Sequence, residues 1–212
     1  MKIKTLKNLL AACSVALCTP LASASIITYD FTDVDHKFGY ALGESAQFTE
    51  HDLTVTVSAW HQDGDDWANN DGREVWHDGY AYGAKGLGVK LPYSADNWEI
   101  DGLGPNEGLK FSFDWEVELT SIQTWFGDRN DDWNLSVKGE DGWDLLLDDS
   151  SRATYNDSIY AQEFIVWADH SGDSFTLKNI VVHHEKVSVA EPSTFALLGL
   201  GLTGLLLSRR RN

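Results

Sequence analysis

Short segments in which apolar and polar residues alternate recur along the middle of this chain. From Leu53 to Ala59 every second residue is apolar, and the residues between them are Thr or Ser, so the apolar side chains would share one face of a strand. Clusters of Gly, Asp and Asn separate such segments, and no window of a dozen residues has the period of an amphipathic helix. The alternating segments are 26–31, 53–60, 86–91, 109–115, 117–126, 133–139, 163–168 and 174–183.

This pattern predicts an all-β domain. Many short strands without helices to cover a parallel sheet favour an antiparallel β-sandwich or jelly roll, with a barrel as the alternative. The long polar stretches 61–79 and 127–134 are then expected to be loops at the ends of the sandwich.

The first 24 residues have the composition of a secretory signal peptide. An apolar run, 9–18, follows three lysines, and the small residues 22–24 precede a predicted cut after Ala24. The alternative is a lipoprotein signal, because Leu-Ala-Ala before Cys13 resembles a lipobox. Both cysteines of the chain lie in this segment, so the exported domain has none with which to form a disulfide.

The charge of the chain is strongly asymmetric. The formal net charge is −17, but the segment 25–192 holds all 33 acidic residues and only 10 of the 16 basic ones. Such a surface repels phosphate backbones, which argues against nucleic acid as a partner, and it attracts divalent cations.

The chain ends in an apolar run followed by arginines. The run, 193–208, has sixteen residues without a charge, and as a helix it would be about 24 Å long. A bilayer core is ~30 Å thick, so the run spans it only with local thinning or help from its flanks. The arginines would stay on the cytoplasmic side, which predicts transient insertion in the inner membrane with the domain outside.

The tail has three parts in a fixed order. A short motif, Glu191-Pro192-Ser193, leads into the apolar run 193–208, and a basic cluster follows, which consists of Arg209, Arg210 and Arg211. This arrangement resembles the PEP-CTERM sorting signal, which exosortases of Gram-negative bacteria recognise and remove. Ala190 stands where that motif has its first Pro. The resemblance implies an exosortase as processing partner and delivery to the cell surface or extracellular matrix, with no transmembrane helix in the mature protein.

The body of the chain has a second resemblance. The segments GLGV (86–89), WEIDG (98–102), 106–123 and 126–137 resemble the middle of small exosortase-dependent surface proteins. That resemblance implies a surface or biofilm-matrix protein without known catalysis. The expected organisation is a signal peptide (1–24), a β-sandwich domain (25–184), a linker (185–190) and a sorting tail (191–212).

One acidic turn is a candidate calcium site. Asp128, Asn130 and Asp132 stand at i, i+2 and i+4, as oxygen ligands do at the start of a calcium loop. Trp133 occupies the position where an EF-hand has Gly, so the turn is not an EF-hand. The alternative is that Asp and Asn are here as ordinary turn formers.

The nine tryptophans all lie between Trp60 and Trp167. Most are expected to build a core that has no disulfides. Several stand beside polar turns, however, where an exposed ring with Asp or Asn neighbours would stack on a sugar. Exopolysaccharide or an envelope glycan is therefore a second expected partner, with Trp67, Trp76 and Trp133 as the candidate contacts.

An enzymatic role ranks lowest. A secreted glycoside hydrolase needs a pair of carboxylates, and Glu99 with Asp101 or Glu116 with Glu118 would share a strand face. The sequence contains no HExxH zinc spacing and no nucleophile elbow. We therefore expect a non-enzymatic surface or matrix protein, with a carbohydrate-binding module as the alternative.

Overall fold

The computed structural model describes residues 23–33, 39–64, 66–69, 71–78, 85–91, 98–126 and 130–186, and every regular element in them is a β-strand. Residues Ser25–His184 form one compact unit. The all-β prediction is therefore confirmed. The strands are β1 (Ser23–Asp30), β2 (Tyr40–Gly43), β3 (Ser45–Glu50), β4 (Leu53–Asp63), β5 (Asp66–Ala68), β6 (Glu74–Asp78), β7 (Gly86–Lys90), β8 (Ile100–Asp101), β9 (Glu107–Phe126), β10 (Trp133–Lys138), β11 (Trp143–Ser150), β12 (Thr154–Tyr155), β13 (Ile159–Trp167) and β14 (Ser174–Lys186).

The strands form an antiparallel sheet with a continuous path and several side branches. The hydrogen-bonded order along the path is β11-β10-β13-β9-β14-β7-β6-β2. On the branches, β4 pairs with β9, β3 and β5, while β1 and β8 pair with β14 and β12 pairs with β9. The antiparallel arrangement predicted from the sequence is confirmed, whereas a jelly-roll strand order stays a prediction.

Strand β9 has two different neighbours on one of its sides, one for each part of its length. Residues 107–113 pair with β4, and residues 118–126 pair with β14. The three residues 114–116 between these parts are exposed. Strand β9 therefore links two groups of strands, and the domain is a sandwich-like all-β fold.

Aromatic side chains fill the space between the layers. The Tyr29 hydroxyl, on the strand beside β14, donates a hydrogen bond of 2.8 Å to the carbonyl of Leu53 on β4. The ring of Phe31 lies 6.3 Å from that of Phe111, which stacks on Phe164 at 4.8 Å. Each fully buried side chain of this size contributes roughly 1.5–3 kcal/mol. Aromatic packing thus stabilises the domain in the way expected from its lack of cysteines.

Two predictions about secondary structure are wrong. Segments 109–115 and 117–126 were expected to be separate strands, but they form the single strand β9 because β13 pairs with residues on both sides of the exposed 114–116 triplet. The stretch 61–79 was expected to be a loop, but it contains the end of β4 and all of β5 and β6. In β6, Val75 and His77 are buried and pair with residues of β7. The charged residues Glu74 and Asp78 at the two ends of this short strand hide its alternating pattern in the sequence.

Candidate functional site

The three tryptophans predicted to contact glycans lie in three different environments. Trp133 is fully buried, and its indole N–H donates a hydrogen bond of 2.7 Å to the carbonyl of Arg152. It offers no face to a sugar, so it is removed from the predicted contacts. Trp76 is half-buried and stacks on Trp98, with ring centroids 5.7 Å apart. Trp67 lines a surface cleft.

This cleft, which we call the tryptophan cleft, has a volume of about 720 Å³. It brings Trp67 together with Trp60 and Trp143, and it also contains Lys110 and Lys138. These residues come from β4, β5, β9, β10 and β11, which together with β13 form one hydrogen-bonded layer in the order β5-β4-β9-β13-β10-β11. The three rings are all half-buried.

The cleft lies on the outer face of its layer because side chains alternate along a strand. On β9, Leu109 and Phe111 are buried in the core, whereas Lys110 and Ser112 between them point the other way. Lys110 Nζ lies 4.8 Å from the ring centroid of Trp60. It is also 5.8 Å from that of Trp143, so the ammonium lies near both rings at distances typical of cation–π contacts.

Acidic residues complete the cleft. The Glu163 carboxylate lies 2.8 Å from Lys110 Nζ and accepts a hydrogen bond of 3.0 Å from the Ser112 hydroxyl. Burial alone would raise the pKa of Glu163, but the hydrogen bonds from Lys110 and Ser112 and the nearby ammonium charges outweigh it and lower that pKa. Glu163 is therefore a stable anion at neutral pH. The other carboxylates of the cleft are those of Asp66, Asp141 and Asp144.

A buried ion pair lies close in sequence to the β4–β5 hairpin that presents Trp67. Arg73 Nε lies 2.7 Å from Glu107 Oε1, and both side chains are almost fully buried. Arg73 also pairs with Asp71, whose carboxylate is 3.4 Å from His61 Nδ1 on β4. This network therefore links the segment after β5 to His61 on β4 and to Glu107 on β9.

A second cluster of charged side chains lies near the start of β10. One ligand-type atom from each of Asp132, Asp149, Asp169 and His170 lies within 4.8 Å of the others. Asn134 joins two of them, because its amide donates to Asp169 at 3.0 Å and its carbonyl oxygen accepts the Asp149 N–H at 2.8 Å. The positive φ of 47° at Asp149 is sustained by this contact.

Burial and the neighbouring charges perturb the pKa values in this cluster. The pKa of Asp132 is raised to about 6, chiefly by burial. The negative charges of Asp173, Asp149 and Asp169 and a hydrogen bond with Asp173 raise it further. Asp132 Oδ1 is buried and has no hydrogen-bond partner among the described residues. The pKa of His170 is also raised, chiefly by the charge of Asp169. A divalent cation with oxygen ligands would offset this repulsion.

The predicted calcium turn contributes one residue to this cluster. Asp132 belongs to it, Asn130 is exposed beside it, and Asp128 lies outside the described residues. Sequence reasoning missed Asp149, Asp169 and His170. Asp149 lies near the end of β11, and Asp169 and His170 follow β13, so their convergence depends on the pairing of β10 with β11 and β13.

The carboxylate pairs considered for a hydrolase do not line the tryptophan cleft. Asp101 is buried and accepts a hydrogen bond of 2.9 Å from the Leu103 N–H. Glu116 is exposed where β9 changes partners, and Glu118 contacts Ser158 and lies 3.3 Å from His183. Contacts of these kinds are ordinary in turns and on the outer faces of strands.

Within the described residues there is no helix long and apolar enough to cross a membrane. The predicted apolar run 193–208, and with it Glu191, Pro192, Ser193 and the three terminal arginines, lies outside those residues. None of the curated proteins matches the chain. Residues 188–211 match the family model described as the PEP-CTERM protein-sorting motif. The chain therefore carries a PEP-CTERM sorting motif, which implies export and exosortase-dependent sorting to the surface of a bacterium.

Proposed function

We propose that this chain is a non-enzymatic surface or extracellular-matrix protein of a Gram-negative bacterium, processed by an exosortase. The observation that carries the proposal is the sorting motif at residues 188–211, joined to an acidic all-β body. The signal peptide takes the body across the inner membrane, the apolar tail holds it there transiently, and removal of the tail releases it.

The experiment follows the size and location of the protein in an exosortase-positive host. A Glu191→Ala/Pro192→Ala double variant should retain its tail and accumulate in the membrane fraction. The matched control is Glu185→Ala, which lies outside the matched residues and should mature normally. Normal maturation and release of the double variant would contradict the proposal.

A carbohydrate-binding role is the second candidate, and the tryptophan cleft is the observation that favours it. Three half-buried indole rings around an open cleft of about 720 Å³ are suited to stacking on the C–H faces of sugar rings. In the matrix, such a cleft would attach the body to exopolysaccharide or to an envelope glycan.

The electrostatics of the cleft support binding over hydrolysis. A general acid for glycoside hydrolysis needs a raised pKa, but the pKa of Glu163 is lowered by its contacts with Lys110 and Ser112. A carboxylate tied in this way is suited to hold a lysine and accept hydrogen bonds. A glycoside hydrolase therefore ranks below both other proposals, and release of reducing sugar from polysaccharides by the purified protein would reverse that order.

A further inference from the structure

We propose that the tryptophan cleft binds a neutral, hydroxyl-rich saccharide and discriminates against acidic polysaccharides. This inference rests on the proposed carbohydrate-binding role and names the class of ligand that the cleft accepts. It follows from which groups in the cleft remain available to a ligand and from the sign of their charge.

The aromatic part of the cleft provides apolar contact area. Trp60, Trp67 and Trp143 come from three different strands, and each ring is only partly covered by protein. Trp67 packs edge to face against Trp167 at 5.4 Å, and Trp60 is oriented by a hydrogen bond of 2.8 Å from its N–H to Ser58. Rings fixed by such contacts lose little conformational freedom when a ligand binds.

The cationic part of the cleft is already engaged. Lys110 Nζ lies 2.8 Å from Glu163 and near the faces of two indole rings, and its side chain is only 14% exposed. Lys138 Nζ lies 5.3 Å from the ring centroid of Trp143. A uronate or sulfate would have to displace Glu163 in order to form an ion pair with Lys110.

The anionic part of the cleft outnumbers the cationic part. Four carboxylates and two ammonium groups line it, and the body around it carries a large excess of acidic residues. A polyanion is repelled by such a field, whereas the hydroxyl groups of a neutral sugar donate hydrogen bonds to carboxylates. The residues with this role are Asp66, Asp141 and Asp144.

The test measures binding of the full-length chain to two sets of polysaccharides. Dextran, mannan and galactan represent neutral ligands, and alginate and polygalacturonate represent anionic ones. We expect binding to at least one neutral polysaccharide that persists in about 0.5 M NaCl, where ion pairing is screened.

The variants locate that binding. Trp67→Ala and Trp143→Ala should each weaken it at least about tenfold, as for other aromatic contacts at binding sites. Trp115→Ala is the matched control, because Trp115 is 62% exposed and outside the cleft, and it should bind like the unmodified chain. Trp143→Phe keeps an aromatic ring and should retain most of the affinity, which separates loss of stacking from loss of folding.

Each contrary result has a distinct meaning. Preference for alginate that disappears in salt and strengthens in Asp66→Asn/Asp144→Asn would overturn the neutral ligand class but leave carbohydrate binding in place. Neutral binding that is unchanged in both tryptophan variants would overturn the assignment to this cleft. Absence of binding to every polysaccharide would overturn the carbohydrate-binding role itself.

Discussion

Glu163 on β13 and Lys110 on β9 form a 2.8 Å ion pair on the outer face of one layer of the fold. The pair ties two adjacent strands together and holds the ammonium beside the rings of Trp60 and Trp143. The same contact therefore contributes to the stability of the sheet and to the shape of the cleft.

The lowered pKa of Glu163 predicts a pH-dependent contribution to stability. A carboxyl with a folded-state pKa below its unfolded value stabilises the protein above the unfolded value and loses that contribution as pH falls through the folded value. Glu163→Gln should therefore lower the free energy of unfolding by about 0.5–1 kcal/mol at pH 7, since the pair is partly exposed, and by almost nothing at a pH below the folded-state pKa. Urea unfolding at both pH values measures this. Glu116→Gln, at an exposed position on β9, should show no such difference, and an equal loss for Glu163→Gln at both pH values would contradict the prediction.

The buried Arg73–Glu107 pair predicts a larger effect. Arg73→Met removes the guanidinium that lies 2.7 Å from the buried Glu107 carboxylate, which should lower the free energy of unfolding by about 3–5 kcal/mol. The double variant Arg73→Met/Glu107→Leu removes both charges and should recover a large part of that loss. Denaturant titration of the two variants tests this, and equal destabilisation of both would show that the ion pair is not the source of the effect.

Replacing Gly88 with a larger residue is predicted to destabilise the fold, because the position has no space for a Cβ atom. A Cβ at this position would clash with the backbone carbonyl of Trp98, which a rotamer change cannot relieve. Gly88→Ala should cost about 1–3 kcal/mol, as overpacking does in other cores. Gly172→Ala meets open space and serves as the control in thermal unfolding. A melting temperature for Gly88→Ala equal to that of the control would contradict the packing argument.

The calcium prediction concerns the cluster of Asp132, Asp149, Asp169 and His170. Adding CaCl₂ at about 100 times its dissociation constant should stabilise the fold by about 2.7 kcal/mol, because the ion binds the assembled cluster. Asp149→Asn/Asp169→Asn should abolish the calcium-dependent rise in melting temperature, whereas the exposed Asp157→Asn should preserve it. A melting temperature unaffected by calcium in the unmodified protein would favour the alternative that these residues are turn formers.

The sequence predicted the class of fold because the pattern that specifies it is local. Alternation from Leu53 to Ala59 determines which face of β4 is buried, and the structure buries Val55 and Val57 completely. The change of partner along β9 was not predictable in this way. It depends on which distant strands, β4 and β14, meet the two parts of β9, and no local pattern encodes that register.

The candidate sites were predictable only in part. Trp67 and Trp133 both stand beside Asp-Asp pairs in similar polar stretches, yet one lines the cleft and the other is in the core. The difference is that Trp133 begins β10 with its ring on the inner face, which depends on pairing with β11. For the same reason Asp132 was found from the sequence while Asp149 and Asp169, which the sheet brings to it, were not.

Removal of the tail by an exosortase is expected to change the mass of the exported protein. Intact mass spectrometry of the protein recovered from the cell surface or medium should give a chain that lacks the first 24 residues and ends before the apolar run 193–208. A mature protein that retains this run and the arginines at 209–211 would show that no exosortase removes the tail.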